Sequence, residues 1–285
     1  MTPSSIPVAL RIAFQGEAGA NSDEACRDYY PDYVSVGHAA FEDAFNAVKQ
    51  GDCGLAMIPV ENSLAGRVAD VHHLLPSSGL KIIRELFKPI HFHLMVNPGT
   101  KLANVRTVIS MPFAASQCRK VLKKLGVSIE SAHDTAGSAM ALAQRPDATR
   151  AAIAPALAAE IYGLEIVQRN IEDAAHNTTR FLVMSAETNP PSPPADAACV
   201  TSFVFRVRNI PAALYKAMGG FATNGVNMTK LESYMENGTF TATLFYAEVD
   251  GRPEDPALKL AFEELAFFSD HVEVLGVYPA DPFRG

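Results

Sequence analysis

The stretch SAETNPPSPPADAA, at residues 185–198, divides the sequence into two parts with different patterns. Its four prolines, all within residues 190–194, exclude a helix and favour extended, solvated backbone. The stretch is therefore predicted to be a linker, and a chain of 285 residues is long enough for a domain on each side of it. We expect a first domain at residues 1–185, the linker at residues 186–199 and a second domain at residues 200–285.

The part after the linker shows strand and helix patterns in the order β-α-β-β-α-β. Strand patterns lie at residues 200–207, 226–235, 239–249 and 271–278, and helix patterns follow Pro211 and span residues 255–268. Asn237-Gly238, between the second and third strands, is a strong hairpin signal. This order predicts a ferredoxin-like α+β sandwich, in which two helices cover one face of an antiparallel sheet.

The part before the linker alternates short apolar runs with helical patterns, which predicts an α/β architecture. The alternation continues through a long middle section, at residues 81–163, and a late strand pattern follows at residues 179–185. We therefore expect an inserted α/β unit from which the chain returns to the first sheet. Such a topology gives two lobes around a cleft, with the split near residues 85–90 and 178.

Composition limits the class of protein. Hydrophobic residues make up 48% and charged residues 19%, which is enough apolar side chain for a sizeable core. With 24 basic and 31 acidic residues the formal net charge is −7, so nucleic acid and anionic membrane are not expected partners. Four scattered cysteines and an N-terminal apolar run interrupted by Arg11 favour a cytoplasmic protein without a signal peptide.

Four polar segments follow predicted strands, where ligands bind in open α/β sheets. They are the turn that ends at Ser22, the Glu61-Asn62-Ser63 run, Ser110 with Gln117, and the Asn177-Thr178-Thr179-Arg180 run. Backbone N–H groups at helix starts near Ser22, Ser63 and Ser110 would hold an anion without adding net charge. Each segment alone is more typical of a helix cap, a polar turn or a strand edge than of a ligand site, so no single segment decides between the two interpretations.

A metal site is the weaker interpretation of the histidines. His91 and His93 are predicted to share one face of a strand, at a spacing that metal ligands use. No third ligand with matching spacing accompanies them, so core or surface histidines are the better interpretation.

Taken together and in this order, the segments resemble the bacterial prephenate dehydratase family over about residues 8–278. The family's Phe-x-Gly pattern is similar to residues 14–16, and its Pro-hydrophobic-Glu-Asn-Ser-x-x-Gly-x-Val motif matches residues 59–68 at every position. Its Thr-Arg-Phe signature matches residues 179–181. One departure stands at residues 110–114, which read Ser-Met-Pro-Phe-Ala where the family often has Ser-His-Pro-Gln-Ala.

The resemblance implies a two-lobed catalytic domain similar to type II periplasmic-binding-protein folds, with the active site in the cleft between the lobes. The family's active-site residues fall on Thr179, Glu61, Asn62, Ser110 and Gln117. We expect further substrate contacts from Ser22, Ser63, Thr178 and Arg180.

The implied activity is that of a carbon–oxygen lyase, which converts prephenate to phenylpyruvate in phenylalanine biosynthesis. Thr179 is expected to donate a hydrogen bond to the departing hydroxyl, with Glu61 as the candidate proton source. Neither a metal nor an organic cofactor is expected, because the elimination stores no electrons and no carbanion. Two alternatives stay open: the same elimination on arogenate, or a non-catalytic sensor of amino acids.

The second part of the chain resembles an ACT domain, the module that binds phenylalanine across a dimer interface in this family. Ala212 replaces the Gly of the family's Gly-Ala-Leu motif, and Tyr234-Met235 replaces Arg-Pro at the end of its second motif. The effector-binding residues implied by these motifs are Ala213, Leu214, Asn227, Met228, Glu232 and Ser233. A homodimer or homotetramer through this domain is expected, and so is a monofunctional enzyme, because no chorismate mutase pattern precedes Val8.

Overall fold

The chain builds three β-sheets, which a computed structural model describes for residues 7–208, 210–235 and 242–284. Within those ranges, its helices are α1 (Asn21–Tyr29), α2 (Phe41–Lys49), α3 (Ala69–Leu74), α4 (Pro112–Gln117), α5 (Arg119–Leu125), α6 (Thr135–Gln144), α7 (Ala156–Tyr162), α8 (Ala213–Thr223) and α9 (Pro256–Phe268). Its strands are β1 (Arg11–Gln15), β2 (Val34–His38), β3 (Leu55–Asn62), β4 (Gly66–Arg67), β5 (Lys81–Pro89), β6 (His93–Val96), β7 (Thr107–Ser110), β8 (Ser128–Ser131), β9 (Arg150–Ala154), β10 (Glu165–Gln168), β11 (Thr178–Ser185), β12 (Cys199–Val207), β13 (Met228–Met235), β14 (Ala242–Asp250) and β15 (Ser269–Pro279).

The first sheet has the strand order β2-β1-β3-β11-β5, with β4 beside β3. Strand β1 lies parallel to both β2 and β3, the arrangement that strand-helix-strand units produce. Its centre is apolar on both faces, and Ile12, Ala13 and Phe14 are all buried. The predicted α/β alternation at the start of the chain is therefore confirmed.

The second sheet has the order β10-β6-β9-β7-β8, and all five strands lie between β5 and β11 in the sequence. Strand β7 is parallel to β8 and β9, whereas β6 is antiparallel to β9 and β10. The chain thus leaves the first sheet after Pro89 and returns to it at Thr178. Buried Leu94, Val108 and Ile153 belong to the core of this sheet.

The turn between β1 and α1 approaches α7 closely. Gly19 has a φ of +87°, and a Cβ atom built on it would lie 2.7 Å from the Cα atom of Ala158. The hydroxyl of Tyr162 donates a hydrogen bond to the carbonyl oxygen of Ala18 at 2.9 Å. Glycine is therefore required at position 19 by both its backbone conformation and the space available.

The third sheet has the order β13-β14-β12-β15, and every neighbouring pair is antiparallel. Helices α8 and α9 bury one face of it, where Phe203, Phe205 and Phe221 form the core with Ala261 and Leu265. The sequence of elements is the predicted β-α-β-β-α-β. The predicted Asn237-Gly238 turn lies outside the described residues.

The chain forms two compact units, one of Met1–Val71 with Phe87–Phe181 and one of His72–Leu86 with Leu182–Gly285. In the second unit, Arg284 pairs with Glu85, with nitrogen–oxygen distances of 2.6 and 2.8 Å, and this contact joins the two parts of the unit. The domain limits proposed from the linker stay a prediction. Among the helices given above, not one has both the length and the hydropathy to cross a membrane.

Candidate functional site

A chain of hydrogen bonds joins four buried side chains of the first unit. Asn62 Nδ2 donates to Asn177 Oδ1 at 2.8 Å and to Thr179 Oγ1 at 3.0 Å. Asn177 Nδ2 donates in turn to Gln117 Oε1 at 2.7 Å. We call these four residues the amide network; each of them is at most 9% exposed.

The direction of every bond in the amide network is fixed by the backbone at one end. Asn62 Oδ1 accepts hydrogen bonds from the backbone N–H groups of Leu64 and Ala65, both at 3.0 Å. Because a backbone N–H can only donate, the amide of Asn62 must point its nitrogen toward Asn177 and Thr179. The orientations of Asn177 and Gln117 follow from it in turn.

Two hydrogen-bond donors remain unused at the ends of the amide network. Thr179 Oγ1 accepts from Asn62, so its own hydrogen is available for another acceptor, and none is present in the described part of the chain. Gln117 Nε2 is buried and likewise has no partner among the described residues. Buried donors without partners are rare, because each costs about 1–3 kcal/mol. The site is therefore suited to a ligand that offers oxygen acceptors.

Neighbouring strands hold Asn62 and Thr179 in register, because β3 and β11 are adjacent in the first sheet. Ser63 N donates to the carbonyl oxygen of Thr178 at 2.9 Å, and Ser63 Oγ accepts from Thr178 N at 3.0 Å. The same hydroxyl donates to the carbonyl oxygen of His176 at 2.6 Å. These bonds explain how residues more than 100 positions apart come together.

Gln117 also lines a cavity of about 340 Å³, which is large enough for a small molecule. Leu64 and Phe113 supply an apolar wall, and Arg119 and Asp173 supply charged groups. The carboxylate of Asp173 accepts hydrogen bonds at 3.1 Å from the two backbone N–H groups that open α5. The Arg119 side chain therefore supplies positive charge to the cavity, and the Asp173 carboxylate is already hydrogen-bonded to backbone N–H groups.

Three of the five residues predicted for catalysis belong to the amide network: Asn62, Gln117 and Thr179. The network does not include Glu61 or Ser110. Glu61 directly precedes Asn62 in β3, and successive side chains of a strand point to opposite faces. Ser110 ends β7, and its buried hydroxyl donates to the carbonyl oxygen of the next residue at 3.1 Å. A catalytic role for these two residues stays a prediction.

The expected helix start near Ser63 is wrong. Residues 63–65 form a turn between β3 and β4, and α3 begins only at Ala69. The physical reason is Asn62, whose side-chain oxygen takes two backbone N–H groups and so closes a tight turn instead of leaving donors for an anion. Ser63 is instead the residue that fixes the neighbouring strand.

The other expected substrate contacts come from α1 and β11. Arg180 follows Thr179 in β11 and therefore points to the opposite face, where its guanidinium carbon lies 5.9 Å from the centroid of the Phe87 ring. Thr178 contributes its backbone to the contact with Ser63. Ser22 is the second residue of α1 and is buried.

The histidines are not arranged as a metal site. His91 Nδ1 lies 2.7 Å from a carboxylate oxygen of Glu172, and His93 Nδ1 accepts a hydrogen bond from Asn170 N at 3.1 Å. The prediction that His91 and His93 share one face of a strand is wrong, because the strand begins only at His93. Across residues 7–208, 210–235 and 242–284, no three His, Cys, Asp or Glu side chains gather as metal ligands.

Comparison with known proteins decides the family. Residues 12–189 match the family model of prephenate dehydratase, which is more than half of the chain. The chain belongs to the prephenate dehydratase family. The resemblance inferred from the motifs is confirmed at the level of the family.

Relatives of this family member are similar over both of its units. It is 49% identical to a bifunctional N-acyl-homoserine lactone acylase/prephenate dehydratase of Komagataeibacter europaeus, over 96% of this chain and 97% of the relative. It is 35% identical to arogenate dehydratase/prephenate dehydratase 2, chloroplastic, of Arabidopsis thaliana, over 95% and 73% of the two chains. The crystal structure of prephenate dehydratase in complex with L-Phe from Arthrobacter aurescens has a TM-score of 0.86 and 27% identity, over 95% and 90% of the two chains.

The sequence of this family member places Asn177 at the start of the polar run at residues 177–180 but assigns it no role. Asn177 lies two residues before Thr179 in the same polar run, so its position was visible but its role was not. Its role depends on Gln117, which is 60 residues away, and no local pattern reports that contact.

The residues expected to bind an effector do not gather at one place in the single chain. Ala213 opens α8, whereas Asn227 follows the end of that helix and donates to the Asp250 carboxylate at 2.7 Å. Glu232 and Ser233 are successive residues of β13 and point to opposite faces, and Glu232 lies 3.8 Å from Lys230 Nζ.

The remaining two expected effector residues serve the core: Leu214 and Met228 pack against the apolar side chains between the third sheet and its helices. Ala212, just before α8, has a φ of +60°. That left-handed conformation favours glycine, so the alanine at this position is strained.

Proposed function

We propose that this protein catalyses the decarboxylating dehydration of prephenate to phenylpyruvate. The observation that carries the proposal is the pair of unused buried donors, on Thr179 and Gln117, at the ends of one fixed hydrogen-bond network. Prephenate offers matching acceptors, because it carries two carboxylates and a ring hydroxyl. The basic side chain of Arg119 at the cavity supports an anionic substrate.

The reaction breaks two bonds and needs help at one oxygen. The bond to the ring carboxylate breaks and releases carbon dioxide, and its electron pair completes the aromatic ring as the C–O bond to the hydroxyl breaks. The departing hydroxide must be stabilised as it forms. Asn62 donates to Thr179 Oγ1 and so leaves the Thr179 hydrogen for that oxygen. An aliphatic hydroxyl is a poor acid, so Thr179 stabilises the leaving group by hydrogen bonding, and one proton taken up from the buffered solvent converts the departing hydroxide to water.

The direct test is incubation of the purified protein with prephenate while phenylpyruvate and carbon dioxide are measured. We expect equimolar formation of both products, at a rate proportional to protein concentration. Prephenate that decays no faster than in buffer would overturn the proposal.

Arogenate is the second candidate substrate, because several curated relatives are named arogenate dehydratases. Arogenate has an ammonium group where prephenate has a keto oxygen, and the rest of the reaction is the same. Measuring kcat/KM on both substrates under one condition decides which of the two is preferred.

The name of the Komagataeibacter europaeus relative also suggests a test with an N-acyl-homoserine lactone. Hydrolysis of its amide needs a nucleophile, and the thiols are poorly suited to this role. All four cysteines are free and buried, and burial raises the pKa of Cys118 to about 12. Release of fatty acid from the lactone, followed by mass spectrometry, would establish that second activity independently of the first.

The proposal includes regulation by phenylalanine through a C-terminal ACT domain in a cytoplasmic homodimer or homotetramer. The L-Phe complex of the Arthrobacter aurescens protein supports phenylalanine as the effector. A shared site between two copies is supported by the placement of Ala213 and Asn227 at opposite ends of α8, a helix of 11 residues and therefore about 16 Å long. We expect phenylalanine to change both the turnover rate and the sedimentation coefficient, and a response in neither would exclude this regulation.

A further inference from the structure

The side chain of Asn177 joins Gln117 to the rest of the amide network. It accepts a hydrogen bond from Asn62 and donates one to Gln117. We propose that Asn177 is a positioning residue whose amide direction makes Gln117 present Nε2, and not Oε1, to a carboxylate of the substrate. The inference rests on the proposed function and names a further residue on which substrate binding depends.

The direction of the Asn177 amide controls which atom of the Gln117 amide is left without a partner. With Oδ1 toward Asn62 and Nδ2 toward Gln117, the amide of Gln117 must offer its oxygen to Asn177 and keep its nitrogen for another partner. If the Asn177 amide were reversed, its nitrogen would face the nitrogen of Asn62, and Gln117 would turn its oxygen outward. A carboxylate would then meet an acceptor in place of a donor.

Asn177 is itself held firmly enough for this role. The residue is 3% exposed, and its backbone carbonyl oxygen accepts a hydrogen bond from Ile90 N at 2.8 Å. It lies two residues before Thr179, and the side chains of both residues accept a hydrogen bond from Asn62 Nδ2. Asn177 also occupies one of the two hydrogens of Asn62 Nδ2, which leaves the other for Thr179.

The orientation of Gln117 depends on Asn177 more than the contact at Thr179 does. Thr179 is reached through Asn62, whose orientation the turn at Leu64 and Ala65 already fixes. Gln117 has no comparable anchor for its side chain, because its only side-chain partner in the described ranges is Asn177. The effect of changing Asn177 is therefore expected chiefly in KM, through Gln117.

The test is Asn177→Asp. A carboxyl group has the same shape as the amide, and its ability to donate a hydrogen bond depends on pH. Ionised, it only accepts, so Gln117 turns its nitrogen inward and its oxygen toward the substrate. Protonated, it accepts from Asn62 and donates to Gln117, as asparagine does. We expect kcat/KM on prephenate to fall about 100-fold at pH 8 and to recover at least tenfold, relative to the unmodified protein, as the pH falls to 5.5.

The matched control is Asn104→Asp, the same substitution at an exposed residue of the same unit. Its kcat/KM relative to the unmodified protein should stay near one at every pH. The proposal would be overturned if kcat/KM of Asn177→Asp, divided by that of the unmodified protein, did not change with pH while circular dichroism showed a folded variant.

Gln117→Glu tests the same point if Asn177→Asp does not fold. Its carboxylate still accepts from Asn177, but the second oxygen replaces Nε2, so KM should rise at pH 8 and fall again on acidification. A KM that is unchanged at pH 8 would overturn the proposal.

Calorimetry with phenylpyruvate separates this inference from the proposed function. Binding that weakens in Asn177→Asp at pH 8, in a protein that does not turn over prephenate, refutes the function and supports the positioning role. If the unmodified protein binds neither prephenate nor phenylpyruvate, the positioning role is overturned as well.

Discussion

Replacing Thr179 by valine removes one hydroxyl from the amide network and keeps the shape of the side chain. Two effects follow from the contacts at this residue. The departing oxygen of the substrate loses its donor, which is worth about 10²–10³ in kcat for donors placed at developing negative charge. Asn62 Nδ2 loses an acceptor at 3.0 Å and becomes a partly unsatisfied buried donor, at a cost of about 1–3 kcal/mol in the free energy of unfolding.

The assay compares Thr179→Val with Thr179→Ser. Serine keeps a hydroxyl that can accept from Asn62 and donate to the substrate, so its kcat should stay within about tenfold of the original while that of valine falls at least 100-fold. Thermal unfolding should show a lower Tm for valine than for serine. Equal losses of kcat in the two variants would refute the reasoning, because the methyl group and not the hydroxyl would then matter.

A double substitution tests whether Asn62 acts through Thr179. Asn62→Asp keeps the oxygen that accepts from Leu64 and Ala65 but turns the donor into an acceptor, so the Thr179 hydroxyl is expected to donate to it and not to the substrate. Asn62→Asp should therefore cost about as much kcat as Thr179→Val, and the two together should cost little more than either. Additive losses would show that the residues act separately.

Three further predictions concern the framework. Gly19→Ala should destabilise the protein by about 2 kcal/mol in chemical denaturation, because the new methyl would overlap the backbone of Ala158; unchanged stability would contradict the close approach. Ala212→Gly should stabilise it by about 1 kcal/mol, since glycine adopts a φ of +60° without strain, and a lower Tm would refute this explanation. Burial raises the pKa of Glu172, but hydrogen bonds from His91 and a backbone N–H outweigh burial and hold that pKa below its ordinary value. The stability that Glu172→Gln removes should accordingly be present at about pH 4.3 and be lost as the pH falls further, which unfolding measured across pH will check.

Local sequence predicted much of the secondary structure. The helix after Pro211 and the helix over residues 255–268 were both expected, and the structure has them at Ala213–Thr223 and Pro256–Phe268. The error at Ser63 has a local cause as well. A single side-chain oxygen, that of Asn62, turned an expected helix start into a tight turn between two strands.

The amide network could be predicted only in part. Asn62, Gln117 and Thr179 were identified through motifs, but their contacts span 60 to 117 positions of sequence and depend on how β3, β11 and α4 meet. The direction of an amide leaves no trace in the sequence. The sequence therefore assigns no role to Asn177, although this residue opens one of the four polar segments.

The most direct test of the account is a crystal structure of the Thr179→Val variant with prephenate bound. The account predicts a substrate carboxylate within hydrogen-bonding distance of Gln117 Nε2 and the departing hydroxyl in contact with the side chain at position 179. Prephenate bound elsewhere, with Gln117 Nε2 still without a partner, would contradict it.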